Sequence, residues 1–250
     1  MDAAYWDRLA GNFSEEVFEV TERDSSGVIR KTAKRLGGKD LTAIDFGCGA
    51  GASTRAIAPF FRHVTGIDFS ENLLAVARQK TRAKNADYRQ ADLSAKVART
   101  PKCDVAFCFN VLLSPDEKIR LAIARNVVRA IRRGGAGVFI APALESELRS
   151  YQVSLACQQR AGFKRAAAAK ELDASARRDI ISLSQGVVNL GGAPTKHFFQ
   201  DEIAELLAAC GLKNLKVSRV HFPWDAVLDE TPTPMPHGEP WDWMAVGEKG

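Results

Sequence analysis

The sequence predicts an α/β protein built on a mostly parallel, doubly wound β-sheet whose last two strands form an antiparallel hairpin. Three observations carry this expectation. Between residues 41 and 142, short apolar runs alternate with helical segments of about 10 to 18 residues, the pattern of βαβ crossovers. The first run ends at Asp45 and passes at once into Gly47, Gly49 and Gly51 in the stretch IDFGCGAGAST, so a strand stops where the backbone must approach something closely. At the far end, LKVSRVHF (215–222) and WDWMAVGEK (241–249) flank the loop DETPTPMPHGEP, which is too rich in proline to cross over the sheet. Such strands can pair only antiparallel.

Taken in order, residues 2–36 read as short amphipathic helices, with Ser14 as an N-cap ahead of Glu15 and Glu16. The last piece, SGVIRKTAKRL, is stopped by Gly37 and Gly38. A strand at 41–46 and a helix at 52–61 follow, then a strand at 63–69 and a helix that Ser70 caps and that runs to Arg82. Strands at 87–91 and 103–110, a helix from Asp116 to Arg133 and a strand at 137–141 behind the turn RRGG complete the alternation. From 144 to 196 the regularity breaks into an Ala-rich basic helical stretch, CQQRAGFKRAAAAKELDASARR, and an extended glycine-containing segment. A helix at 200–209, stopped by Gly211, restores it. These pieces are expected to make one domain: a helical cap (1–38), a core (39–142), an insertion (143–199) and a C-terminal helix with the strand hairpin (200–250).

Composition narrows the function. With 46% hydrophobic and 26% charged residues the chain has globular values and no room for long disorder. The N-terminus lacks the charged head and apolar core of a signal peptide, and no run approaches the roughly 20 apolar residues of a membrane span, so a cytoplasmic protein without a membrane partner is expected. Five cysteines without a C-x-x-C read as reduced packing residues, and four histidines without ligand spacing predict no metal site. A net charge of +5 would suit an anionic partner. The basic stretch 160–178, however, holds a single aromatic residue, Phe163, which gives bases no stacking platform; it reads as a solvated helix face, and nucleic acid is not an expected partner.

Gly47, Gly49 and Ala52 satisfy the degenerate dinucleotide fingerprint G-x-G-x-x-G/A. Three acids set the ligand's charge. Asp45 precedes the first glycine by two, Asp68 ends the second strand, and Asp92 follows the third in QADLS. An acid at the second strand tip can accept both hydroxyls of a ribose, in hydrogen bonds of about 1.5–3 kcal/mol. Carboxylates around the loop disfavour an anionic pyrophosphate and favour a cofactor carrying a sulfonium and an ammonium.

The segments DFGCGAG (45–51), GIDFS (66–70), ADL (91–93) and IRRGGAGVFIAP (131–142) resemble, in order, the motifs of class I S-adenosylmethionine-dependent methyltransferases, small-molecule type. The resemblance covers 40–142 and the terminal strand pair. It implies a Rossmann-like, seven-stranded sheet of order 3-2-1-4-5-7-6 with strand 7 antiparallel, N-terminal helices and a helical lid insertion. S-adenosylmethionine is the implied cofactor and S-adenosylhomocysteine the product. By position, Gly47, Cys48 and Gly49 line the loop under the methionine part and ribose, and Asp45 helps to hold the ammonium. Asp68 takes the ribose hydroxyls, Phe69 lies against the adenine, and Asp92 with the Leu93 N–H reads the adenine edge. The Phe109 carbonyl and the Asn110 side chain finish the ammonium pocket.

The acceptor is narrowed by what the fourth strand lacks. Its tip reads NVLLSPD instead of the N-P-P-Y of base-amino methylating relatives, and no cysteine follows a proline as in cytosine C5 enzymes. A small molecule is left, with nucleic acid as the alternative. The opening YWDRLAGNF is similar to the N-terminal segment that covers the cofactor in bacterial small-molecule enzymes, which makes Tyr5 and Trp6 candidate walls of the acceptor site. His197, between Lys196 and two phenylalanines, is the candidate base because imidazole titrates near neutrality. Tyr151 and Lys196 are candidate acceptor contacts. O-methylation is the leading expectation, with N, S and C acceptors as alternatives, in a monomer or homodimer. A cofactor-sensing protein and an NAD oxidoreductase are the rival classes.

Overall fold

Seven strands form one sheet in the computed structural model, which describes residues 19–226 and 238–250, in the order β3 (Ala86–Gln90), β2 (Phe61–Asp68), β1 (Gly38–Phe46), β4 (Cys103–Phe109), β5 (Ile131–Pro142), β10 (Trp241–Lys249), β9 (Leu212–His221). Ser14, Tyr5 and Trp6 lie outside the described residues. Among the described residues the first helices are α1 (Val20–Arg23) and α2 (Val28–Leu36), whose C-cap is Gly37. Then come β1 (Gly38–Phe46), α3 (Ala52–Ile57), β2 (Phe61–Asp68), α4 (Glu71–Lys80), β3 (Ala86–Gln90), β4 (Cys103–Phe109), α5 (Glu117–Ala130) and β5 (Ile131–Pro142). β1 pairs parallel with β2 and β4, β2 with β3, and β4 with β5. β10 (Trp241–Lys249) runs antiparallel between β5 and β9 (Leu212–His221), so the strand order and the reversed hairpin are as the sequence predicts.

Alternation along each strand builds two cores. Ile44, Phe46, Phe139, Trp241 and Trp243 point to one face, against Ile123 and Val127 of α5 and Ile203 and Leu207 of α8 (Gln200–Ala209). Ala43, Val64, Phe107, Val138, Ile140 and Met244 point to the other, against Val20, Ile29, Ala33 and Ile57. At ~25 cal/mol per Å² of apolar surface removed from water, this two-sided burial is the main force fixing the sheet. Asp45 and Asp242 belong by alternation to the second face, so two carboxylates sit on an otherwise apolar layer at its ligand end.

The structure corrects two local expectations. The helix expected to reach Arg133 ends at Ala130, because Ile131 is 1% exposed and pairs with Cys103, and RRGG is a bulge within β5 rather than a turn before it. The insertion has the expected helical stretch, as α6 (Leu144–Arg160) and α7 (Arg165–Asp179), but the segment expected to be merely extended is an antiparallel three-stranded sheet of β6 (Ile180–Ser182), β7 (Val187–Leu190) and β8 (Ala193–Lys196). Gly191 and Gly192, both at positive φ, turn β7 into β8 in a two-residue loop.

This insertion leaves and rejoins the body through one neck. Leu144 N donates to the Phe198 carbonyl at 2.9 Å, Phe198 N to the Pro142 carbonyl at 2.8 Å, and Lys196 N to the Leu113 carbonyl at 2.9 Å. The neck therefore sits at the carboxyl ends of β4 and β5. No helix among the described residues is long and apolar enough to cross a membrane.

Candidate functional site

The glycine loop is tied to the second strand by its backbone. Gly47 N and Cys48 N both donate to the Ile67 carbonyl, at 2.7 and 3.1 Å, and Gly49 N donates to Asp68 Oδ2 at 2.9 Å. Asp68 Oδ1 accepts from Ser70 N at 2.9 Å, while Ser70 Oγ accepts from Leu73 N as the N-cap of α4. Gly47, Gly49 and Gly51 have φ of +70°, +49° and +82°, a region that L-side chains rarely adopt. A Cβ on Gly47 would stand 2.3 Å from Val111 Cγ2. The loop is therefore a fixed cradle between the tips of β1, β2 and β4.

Asp45 lies under this loop and is 1% exposed. Its Oδ2 accepts from the Ser53 and Thr54 hydroxyls of α3, each at 2.6 Å, and its Oδ1 is buried without a partner. Burial is the main cause that pushes its pKa up to about 6, with the charge of Asp68 adding to it. Glu19 belongs to the same field: burial, then Glu22 and Asp45, raise its carboxyl to about 7. The Cys48 thiol is pushed well above its usual range by burial and by Asp45 and Asp68, so it stays protonated.

The other cofactor candidates line the same rim. Phe69 is half-buried and its carbonyl accepts from Gln90 Nε2 at 2.9 Å. Asp92 is exposed, with Oδ1 accepting from Ser94 N and Oγ at 2.8 and 2.7 Å, and Leu93 is buried beside it. Phe109 closes β4 against Phe107 at a ring separation of 5.8 Å. Asn110 follows at φ +52°, its N–H donating to the Ile140 carbonyl at 2.9 Å. Its Nδ2 donates to Asp242 Oδ2 at 3.1 Å, and its Oδ1 is buried without a partner.

The acceptor-side candidates are placed differently from one another. His197 lies in the neck, 5% exposed, with its N–H on the Gly186 carbonyl at 2.7 Å and Nδ1 3.3 Å from the Thr195 carbonyl. A carbonyl can only accept, so Nδ1 carries the proton and Nε2 keeps a lone pair. Lys196 is 2% exposed, and its ammonium is taken by Glu202 at 2.5 Å and the Gln185 carbonyl at 2.8 Å, over the Phe198 ring. Its charge ties the insertion to α8. The Tyr151 hydroxyl donates to Asp179 Oδ2 at 3.2 Å and so joins α6 to α7. The geometry thus brings the cofactor candidates together, sets His197 at the neck, and engages Lys196 and Tyr151 in packing within and beneath the insertion.

Burial pushes the His197 pKa down to about 4, against ~6.5 for an unfolded histidine. Because its folded value is depressed, it contributes stability that is complete above pH 6.5 and lost as pH falls towards 4, on the order of 2–3 kcal/mol. Replacing His197 with glutamine is expected to make the fall in unfolding free energy between pH 7 and pH 4.5 smaller by about that amount, as read from urea titrations at both pH values. Equal falls in the two proteins would contradict this placement.

Sequence reasoning missed Asp242 and Glu19. Asp242 had a signal, a charge at an inward position of the apolar strand WDWMAV; Glu19 had none, since its neighbours in EEVFEV are equally acidic. A groove lined by Arg35, Asp104, Arg132 and Lys216 lies at the amino ends of β4 and β5, away from this rim. Among the described residues no group of histidine, cysteine and acidic side chains could hold a metal ion.

The arrangement fits a ligand with a positive charge. Two buried oxygens, Asp45 Oδ1 and Asn110 Oδ1, have acceptor capacity and no donor, which is costly unless a donor arrives.

Residues 43–135 match the family model described as a methyltransferase domain. The chain is 32% identical over 89 residues to malonyl-[acyl-carrier protein] O-methyltransferase 2 of Coxiella burnetii, covering 35% of this chain and 36% of that protein. It is 41% identical over 81 residues to the ubiquinone biosynthesis O-methyltransferase of Azotobacter vinelandii, covering 31% and 34%. The chain thus spans between a third and a half of the length of the curated relatives it matches. Among solved structures it resembles DhpI in its complex with SAM and HEP, at TM-score 0.63 and 18% identity over 98% of this chain and 94% of that one. It also resembles the N-methyltransferase NodS of Bradyrhizobium japonicum bound to S-adenosyl-L-homocysteine, at TM-score 0.61 and 15% identity over 99% and 97%.

Proposed function

We propose that this chain, whose core is a class I S-adenosylmethionine-dependent methyltransferase domain, transfers a methyl group from S-adenosylmethionine to an oxygen atom of a small molecule. The observation that carries the reading is the pair of donor-less buried oxygens, Asp45 Oδ1 and Asn110 Oδ1, on the rim that Asp68 and the glycine loop complete. When bound, the cofactor supplies an electrophilic methyl carbon on a cationic sulfur. Asp45 and Asn110 hold its ammonium, Asp68 the ribose hydroxyls, and Phe69, Asp92 and Leu93 the adenine.

The rest of the work is positioning. Holding an acceptor oxygen in line at about 3 Å removes most of the entropic barrier of a two-body reaction. The insertion reaches the rim through its neck and acts as the lid that keeps water from the acceptor. His197, neutral at physiological pH, accepts a hydrogen bond from the acceptor's hydroxyl at Nε2 and orients it; with its pKa lowered to about 4 it is a weaker base than a free imidazole, so it positions the oxygen and the proton passes on to water as the oxygen–carbon bond forms. The names of the curated relatives, both O-methyltransferases, support oxygen over nitrogen, sulfur or carbon. The single aromatic residue, Phe163, of the basic stretch 160–178 supports a small molecule over RNA.

Incubation with methyl-labelled S-adenosylmethionine and a panel of phenols, carboxylic acids, amines and thiols tests the reading. Label in an ether or ester is expected. Label in tRNA with none in the panel would replace it by the nucleic-acid alternative, and cofactor binding without transfer to any acceptor would favour a sensor.

A further inference from the structure

Asp242 stands at the first turn-in of β10, opposite Pro142 of β5, and is 5% exposed. Nothing in the cofactor reading requires a carboxylate there. Its Oδ2 accepts from Asn110 Nδ2 at 3.1 Å. An ionised carboxylate can only accept, whereas an amide has one accepting and one donating end. The Asn110 amide must therefore turn its NH2 to Asp242, which sends Oδ1 the other way, into the buried position where it has no partner.

The backbone removes the remaining freedom. Asn110 is held in the left-handed region at φ +52°, which asparagine tolerates better than most residues, and its N–H is fastened to the Ile140 carbonyl at 2.9 Å. The end of β4 and strand β5 thus fix the backbone of this residue, and strand β10 fixes its side chain. The result is an oxygen of fixed orientation at the rim.

We infer that Asp242 is a positioning residue that sets the polarity of Asn110, so that the fourth-strand tip offers an acceptor and not a donor to the ammonium of the cofactor's methionine part. The inference rests on the cofactor reading above. With asparagine at 242 the partner can donate as well as accept, the Asn110 amide is free to reverse, and an NH2 then faces the ammonium.

Calorimetric titration of the full chain at pH 8, where Asp242 is ionised, tests it with two ligands. S-adenosylhomocysteine carries the ammonium; 5′-methylthioadenosine has the adenosine and thioether without it. Asp242→Asn is expected to weaken S-adenosylhomocysteine about ten-fold and leave 5′-methylthioadenosine unchanged. The swapped pair, Asp242→Asn with Asn110→Asp, restores both the internal hydrogen bond and the outward acceptor, and its preference for S-adenosylhomocysteine is expected within about three-fold of wild type. Equal weakening of both ligands in Asp242→Asn, or no weakening, overturns the inference, as does a swapped pair that has lost the preference. If the single variant does not fold, the swapped pair alone decides by that ratio. A wild-type protein that binds neither ligand overturns the cofactor reading itself, a result distinct from any of these.

Discussion

Asp68→Ala is expected to weaken S-adenosylhomocysteine binding at least about 100-fold and to lower the unfolding free energy by roughly 3–5 kcal/mol. The carboxylate is 4% exposed and accepts from two backbone groups, Gly49 N and Ser70 N, both at 2.9 Å. One bond fixes the glycine loop and the other starts α4, so alanine leaves two buried N–H groups with no acceptor. Each such orphan costs about 1–3 kcal/mol. The loss of the carboxylate proposed to take the ribose hydroxyls comes on top. Asp68→Asn, which keeps one accepting oxygen, is expected to fall between wild type and alanine in both urea unfolding and calorimetric titration. Unchanged binding in the alanine variant would remove Asp68 from the site.

Gly47→Ala is expected to cost about 3 kcal/mol or more in stability and to abolish cofactor binding, through two separable effects. The first is backbone strain at φ +70°, on the order of 1–2 kcal/mol for a residue with a Cβ. The second is steric, since the new Cβ would meet Val111 Cγ2 at 2.3 Å and Cγ1 at 3.1 Å. Gly134 isolates the first effect: its φ is +76°, and nothing lies within 4 Å of its Cβ position, so Gly134→Ala should cost only the strain. Val111→Ala should recover part of the Gly47→Ala loss, with a coupling of about 1 kcal/mol or more in a double-mutant cycle. Additive losses would show that the loop tolerates the crowding.

Most of the fold was legible because its signals are local. Apolar period, glycine stops and caps such as Ser70 act within a few residues, and the proline-rich loop left the last two strands one way to pair. The strand boundary at Ile131 was not legible, because a β-branched residue after a helix declares its strand only through its partner Cys103, 28 residues away. The small sheet of the insertion was missed for a related reason: its strands are three or four residues long, below the length at which alternation can be counted, although the Gly191-Gly192 turn was a hairpin signal.

The site divides in the same way. Asp45, Asp68 and the glycines announce themselves by position relative to strand ends. Lys196 and Asp242 do not, since burial and partner decide what a charge does. Lys196 read as a candidate acceptor contact and is ion-paired with Glu202, whereas Asp242 read as one more strand residue and accepts from the Asn110 side chain.

Direct titration of the 250-residue protein with S-adenosylmethionine, S-adenosylhomocysteine and NAD at pH 8 tests whether this carboxylate-lined rim selects a cationic cofactor. Saturable one-site heats for the first two, and none for the dinucleotide with its anionic pyrophosphate, are expected. Binding of NAD with comparable affinity, or no saturable heat with S-adenosylmethionine, would contradict it.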